Sequence, residues 1–85
     1  MTVLDTLALQ CSLKGAVFGH SWQRFQEGTS KIEIIEQLSI KLSQDGAPAH
    51  YVNIWIEQMG LALTTQDYYT MVSEIVFQCL QSGGV

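Results

Sequence analysis

Beyond Lys41 the sequence has no lysine or arginine, and Asp45, Glu57, Asp67 and Glu74 are the only formal charges in that half. Upstream, four cations (Lys14, Arg24, Lys31, Lys41) balance four anions (Asp5, Glu27, Glu33, Glu36), so the whole net charge of −4 resides in the C-terminal half. A surface that binds polyanions needs clustered cations that release counterions on contact, which argues against nucleic acid as a partner. Asp45-Gly46 sits where the turn of a helix-turn-helix would fall. The recognition helix that would follow, Ala49 to Met59, carries no lysine or arginine and one carboxylate, Glu57, and would be repelled by the phosphate wall of a major groove.

Other scarcities exclude other classes. No apolar run approaches the roughly 18 residues needed to cross a bilayer, so no membrane association is expected. The start, Met1-Thr2-Val3-Leu4-Asp5, lacks the cationic region of a secretory signal, and Asp5 and Gln10 interrupt its apolar stretch. Cytoplasmic residence is the expectation. Cysteine occurs only as Cys11 and Cys79, and in a chain without an export signal two such residues read as reduced, buried thiols. The candidate metal ligands Cys11, His20, His50 and Cys79 each stand alone in their segments, without the close pairs of structural zinc sites. Neither a metal nor any other cofactor is expected.

Catalytic patterns are missing as well. Gly15-Ala16-Val17-Phe18-Gly19-His20-Ser21 has two glycines but no lysine where a phosphate-cradling loop requires one. Cys11 lies on an apolar face, and Cys79 lies late in a helix, where the dipole's negative end disfavours thiolate, so neither is a poised nucleophile. Glu33 and Glu36, three residues apart, read as an exposed face beside Lys31 and Lys41 rather than an acid–base couple. The chain is read as non-enzymatic.

What the sequence does contain is a large apolar share, 47%, with only 14% charged residues against roughly 25% in ordinary soluble domains. Glutamine fills many positions where lysine or glutamate is commonplace, among them Gln10, Gln23, Gln26, Gln37, Gln44, Gln58, Gln66, Gln78 and Gln81. A neutral surface is easily desolvated, and interface centres are depleted in Lys, Glu and Asp. At 85 residues, without repeats or a long linker, the chain reads as a single domain over 1–85.

Helix punctuation is frequent. Thr2 with Asp5 resembles a capping pair, and Leu4, Leu7, Ala8 and Cys11 recur at helical spacing up to Gly15, a natural stop. A second short helix is expected from Ser21 to Glu27, with His20 in the loop before it and Gly28 closing it. Ser30 with Glu33 forms a capping box for a third, ended by Asp45-Gly46. Pro48 suits the first turn of a fourth that carries Val52, Trp55, Ile56 and Met59 up to Gly60 and places His50 in its first turn. Thr64 with Asp67 caps the last, whose stripe of Tyr68, Met71, Val72, Ile75 and Cys79 is joined by Tyr69, Val76 and Leu80 before Gly83-Gly84.

The expected fold is therefore all-α, a compact bundle of four to five short helices. A competing pattern runs through the middle, where Leu38, Ile40 and Leu42 alternate with polar residues and Tyr51 to Ile56 is rich in branched and aromatic side chains. A hairpin over about 38–58, giving an α+β fold, is the alternative.

Aromatic residues supply the functional expectation. Tyr51, Trp55, Tyr68 and Tyr69 serve as anchors of a protein-binding face on the fourth and last helices, rimmed by Glu57 and Asp67, which select a basic protein partner. An adaptor, inhibitor or chaperone-like regulatory protein, itself a homodimer, is the expected function. A helical domain binding a small ligand in an aromatic-lined pocket is the alternative.

Overall fold

A computed structural model describes residues 3–64 and 67–84, with the side chains of residues 3 and 4 outside that description. Four helices follow one another: α1 (Val3–Gln26), α2 (Lys31–Gln44), α3 (Ala49–Ala62) and α4 (Tyr68–Gln81). The all-α class is as expected, and no strand occurs among the described residues. The 38–58 hairpin alternative is overturned, because Asp45-Gly46 and Pro48 break the chain between two helices instead of turning it between strands. Branched and aromatic side chains in α3 offset their rotamer restriction by burial, with Val52 and Trp55 both in the core.

The largest departure from expectation is α1, a single helix of 24 residues that runs through Gly15, Gly19 and His20. Glycine weakens a helix by about 1 kcal/mol, which local reading takes as a stop. Here the missing side chains let α4 approach. A Cβ at Gly15 would lie 2.7 Å from Val76 Cγ2 and 3.4 Å from Val72 Cγ1, and one at Gly19 would lie 2.7 Å from the Tyr68 hydroxyl. Four-residue spacing puts both glycines on one face, so the tertiary contact compensates for the local weakness. Replacing Gly15 with Leu is expected to destabilise the protein by about 1–3 kcal/mol through overpacking. Gly15→Ala should miss the gain of about 1 kcal/mol that helix propensity alone would bring. Urea denaturation measures both, and a Gly15→Leu protein as stable as the parent would refute the close approach.

Turn chemistry sets the other boundaries. Gly28 and Gly46 adopt left-handed φ values of +110° and +86°, which a side chain would strain. Their neighbours Thr29 and Ala47 donate N–H bonds back to Arg24 and Leu42, each at 3.0 Å, closing α1 and α2. The Ser30 hydroxyl accepts the Glu33 N–H at 3.2 Å, as the capping box requires. Pro48 occupies the N-cap of α3, which continues past Gly60 to Ala62. Asp67 itself caps α4, while the Thr64 hydroxyl donates to the Leu61 carbonyl at 2.8 Å and closes α3. The expected Thr64–Asp67 pair thus divides between two helix ends. Thr2, expected to cap α1, lies outside the described residues.

At about 1.5 Å per residue α1 is roughly 36 Å long and the other helices roughly 21 Å, so α1 sets the long dimension of a body of 40 × 28 × 17 Å. It packs most extensively on α4, α2 packs on α3, and the two pairs share a core of Phe18, Ile34, Leu38, Trp55, Met59, Ala62, Leu63, Met71 and Ile75. Contact between α1 and α2 is sparse. A long helix covered by shorter ones keeps part of its surface bare, and Leu9, Leu13 and Val17, spaced by four, form an exposed apolar row along α1.

Cys11 and Cys79 form a disulfide, with Cα atoms 5.5 Å apart, joining α1 to α4 across 68 positions of sequence. This corrects the expectation of two reduced thiols. Both residues are buried as expected, but antiparallel packing of the first and last helices brings together side chains that are remote in sequence.

Candidate functional site

The aromatic residues form two groups at different places. Phe18 meets Trp55 edge-on at 5.6 Å between ring centroids, and Tyr51 tilts against Trp55 at 5.5 Å. Trp22, Tyr68 and Tyr69 make the second group, through edge-on contacts at 5.5 and 5.4 Å. Of the six residues expected to bind a partner, Trp55 is buried, Tyr51 and Tyr68 are half-buried, and Tyr69, Glu57 and Asp67 are exposed. Only Tyr69, 78% exposed, presents most of its ring to solvent among the four expected anchors. Asp67 caps α4 by accepting the N–H groups of Tyr69 and Thr70, each at 3.3 Å. A hydrogen bond from the Thr70 hydroxyl holds its carboxyl below the usual carboxylate range, so its charge serves the helix end.

The sequence reading missed Lys14. Its side chain is only 2% exposed, on the buried face of α1 between Cys11 and Phe18. The ammonium donates to Gln58 Oε1 of α3 at 2.5 Å and lies 4.9 Å from the Trp55 ring centroid and 5.6 Å from that of Phe18. Aromatic faces offer a cation some electrostatic compensation for lost water. Burial nevertheless pushes its pKa down from 10.5 to about 8. Beside it, Trp55 Nε1 is a buried donor with no acceptor among the described residues. Leaving such a group unpaired costs about 1–3 kcal/mol. The signal was present in the sequence, since Leu7, Cys11, Lys14 and Phe18 step by four, three and four, but ending the helix at Gly15 conceals it.

Two surface concavities flank the Leu13–Val17 row. Between α1 and α2 lies a groove of about 470 Å³, its apolar wall made by Leu13, Ala16, Val17, Ile34 and Leu38 and its polar rim by His20, Arg24 and Lys41. None of the described residues that line it is acidic. Lys41 also faces Asp45 at 3.9 Å, an exposed pair that leaves the ammonium open to other anions. Between α1 and α3 lies a pocket of about 410 Å³ bounded by Lys14, Tyr51 and Trp55 and by Gly84.

His20 and His50 are exposed on α1 and α3 respectively, His50 in the first turn as expected and His20 within a helix instead of a loop. No cluster of three potential metal ligands occurs among the described residues. No helix among them is long and apolar enough to cross a membrane. Comparison with family models, curated proteins and solved structures found no match to this chain.

Proposed function

We propose that this protein is a non-enzymatic interaction module, an adaptor or inhibitor, that receives an acidic amphipathic helix of another protein in the groove between α1 and α2. The observation that carries this reading is the pairing of an apolar wall with a rim of His20, Arg24 and Lys41 and no carboxylate among the described residues, in a chain whose net charge is −4. Charge complementarity therefore favours an acidic partner at this site, the reverse of the basic partner expected from the C-terminal half. A helix of three to four turns matches the roughly 21 Å length of α2, placing anchors at i, i+4 and i+7 against Leu13, Val17 and Leu38. The groove supports function better than the α3–α4 face because the rings expected as anchors there are mostly committed to packing.

Self-association is the competing occupancy. Exposed Tyr69, Phe77 and Leu80 beside Glu74 give α4 an apolar, acidic surface that a second copy could present to the groove. Such a contact joins two different surfaces, so it grows into rings or filaments unless two copies exchange it reciprocally as a closed dimer. The disulfide supports an oxidising compartment over the cytoplasm, where thiols are kept reduced.

Charge-swap binding provides the test. A 14-residue amphipathic peptide with a leucine stripe flanked by glutamates is expected to bind at least about tenfold more tightly than its lysine-flanked counterpart, given about 1.4 kcal/mol per tenfold. In the Arg24→Glu/Lys41→Glu protein the preference should reverse. Equal binding of both peptides by either protein would refute the groove, and a mass that rises with concentration in light scattering would assign it to a second copy.

A further inference from the structure

We infer that the helix received by the groove between α1 and α2 carries two carboxylates about eight to ten residues apart, one for Arg24 and one for Lys41, with no charge between them. The carboxylate at Arg24 contributes the larger share. This spacing, which rests on the groove being the docking site, is what distinguishes one acidic helix from another.

The two cations line opposite ends of the groove. Arg24 comes two residues before the end of α1 at Gln26, and Lys41 comes ten residues past the start of α2 at Lys31. A short turn, Glu27 to Ser30, joins the two helices. Arg24 therefore lies about 3 Å along its helix from that turn and Lys41 about 15 Å along its own. Arg24 marks the end that the turn closes, and Lys41 marks the open end, about 12–15 Å away along the groove. A partner helix covers that distance in eight to ten residues, at about 1.5 Å each.

The surroundings rank the two ends. Arg24 is half-buried, whereas the Lys41 side chain is 74% exposed and already faces Asp45 at 3.9 Å. A carboxylate bonded to a planar guanidinium in a partly desolvated place is held by the stronger kind of hydrogen bond, and one paired with an exposed ammonium gains little. His20 lies one helical turn before Arg24 on the same face of α1 and adds a polar group near the closed end. The middle of the groove is walled by Ala16, Val17, Gln37 and Leu38, none of them charged. A carboxylate at the centre of the partner helix would lose water there without gaining a cation.

Two amphipathic peptides of identical composition and about 14 residues provide the test, binding to the full, disulfide-bonded chain being read by fluorescence anisotropy. Both have the same leucine stripe, blocked ends and a hydrocarbon staple on the outer face, so that moving a charge does not act through helix content. One has its two glutamates about ten residues apart, and the other has them one turn apart at its centre. The split peptide is expected to bind at least about fivefold more tightly, the upper range for one partly exposed ion pair. Arg24→Gln should remove most of that advantage, and Lys41→Gln less of it. Equal binding of the two isomers, or a larger loss from Lys41→Gln than from Arg24→Gln, would overturn the spacing while leaving the groove as a site for acidic helices. If neither isomer outbinds a lysine-flanked control, the groove reading falls and the spacing with it. Should a variant fail to fold, the two isomers on the parent protein decide alone.

Discussion

Reduction of the Cys11–Cys79 disulfide is expected to lower the free energy of unfolding by about 4 kcal/mol. The bridge spans 68 positions, nearly the whole chain, and restricts the unfolded ensemble far more than the folded one. Small domains have roughly 5–15 kcal/mol in total, so the loss is a large share of the stability. Loop-closure entropy grows only logarithmically, which makes the estimate insensitive to the exact loop length. Both cysteines are buried, at 0% and 1% exposure, so reductant reaches them only when the chain opens. Urea denaturation of the oxidised protein against the reduced protein gives the difference directly. Coincident curves would show that the bridge contributes nothing to stability. A Cys11→Ala/Cys79→Ala protein should lose at least as much, since it also loses the packing of two buried sulfurs on the α1–α4 seam.

Lys14→Met is expected to act in the opposite direction, raising stability at neutral pH by about 1–2 kcal/mol. Folding takes the ammonium out of water, and an apolar side chain of similar volume avoids that desolvation. Part of the gain is offset by the lost hydrogen bond to Gln58 and the lost attraction to the Trp55 and Phe18 rings. The pH dependence follows with a definite sign. Lys14 loses its proton near pH 8 in the folded protein and near 10.5 when unfolded. Below pH 8 both states hold the proton and the full penalty applies. Between pH 8 and 10.5 the unfolded chain holds more protons, so stability rises with pH, and above that range the penalty has gone. From pH 7.5 to 9.5 the parent should gain about 1–2 kcal/mol, discounting the ideal 1.4 kcal/mol per unit for relaxation around the buried amine. Lys14→Met should lack this gain. An equal alkaline rise in both proteins would remove Lys14 as its source.

The Lys14 and disulfide effects together place the costly and the stabilising features of the fold on the same helix. A cross-link holding α1 against α4 offsets that cost and fixes the helix that forms one wall of both concavities.

Local chemistry was legible where a single turn decides the outcome. Ser30 with Glu33, the Asp45-Gly46 break, Pro48 at the start of α3 and the stripe of Met71, Ile75 and Cys79 are all readable from spacing and residue type. In α1 the same logic failed, because Gly15 and Gly19 look alike whether they end a helix or admit a neighbour. That error carried further: ending the helix at Gly15 cuts Phe18 from the stripe of Leu7, Cys11 and Lys14 and so conceals that Lys14 lies on the buried face. The aromatic residues failed for a different reason. Composition indicates that rings are abundant, but Trp55 inside and Tyr69 outside differ only in which side of a helix meets a neighbour.

By itself the sequence determined the all-α class, both ends of α2, the start of α3, the end of α4 and the deficit of positive charge in the second half, all consequences of short-range spacing and composition. Only the tertiary structure decided that α1 is continuous, that Cys11 meets Cys79, that Lys14 is enclosed beside Trp55, and that Arg24 and Lys41 edge one groove. These features depend on contacts between residues far apart in the chain, whose energies outweigh local helix preferences of about 1 kcal/mol.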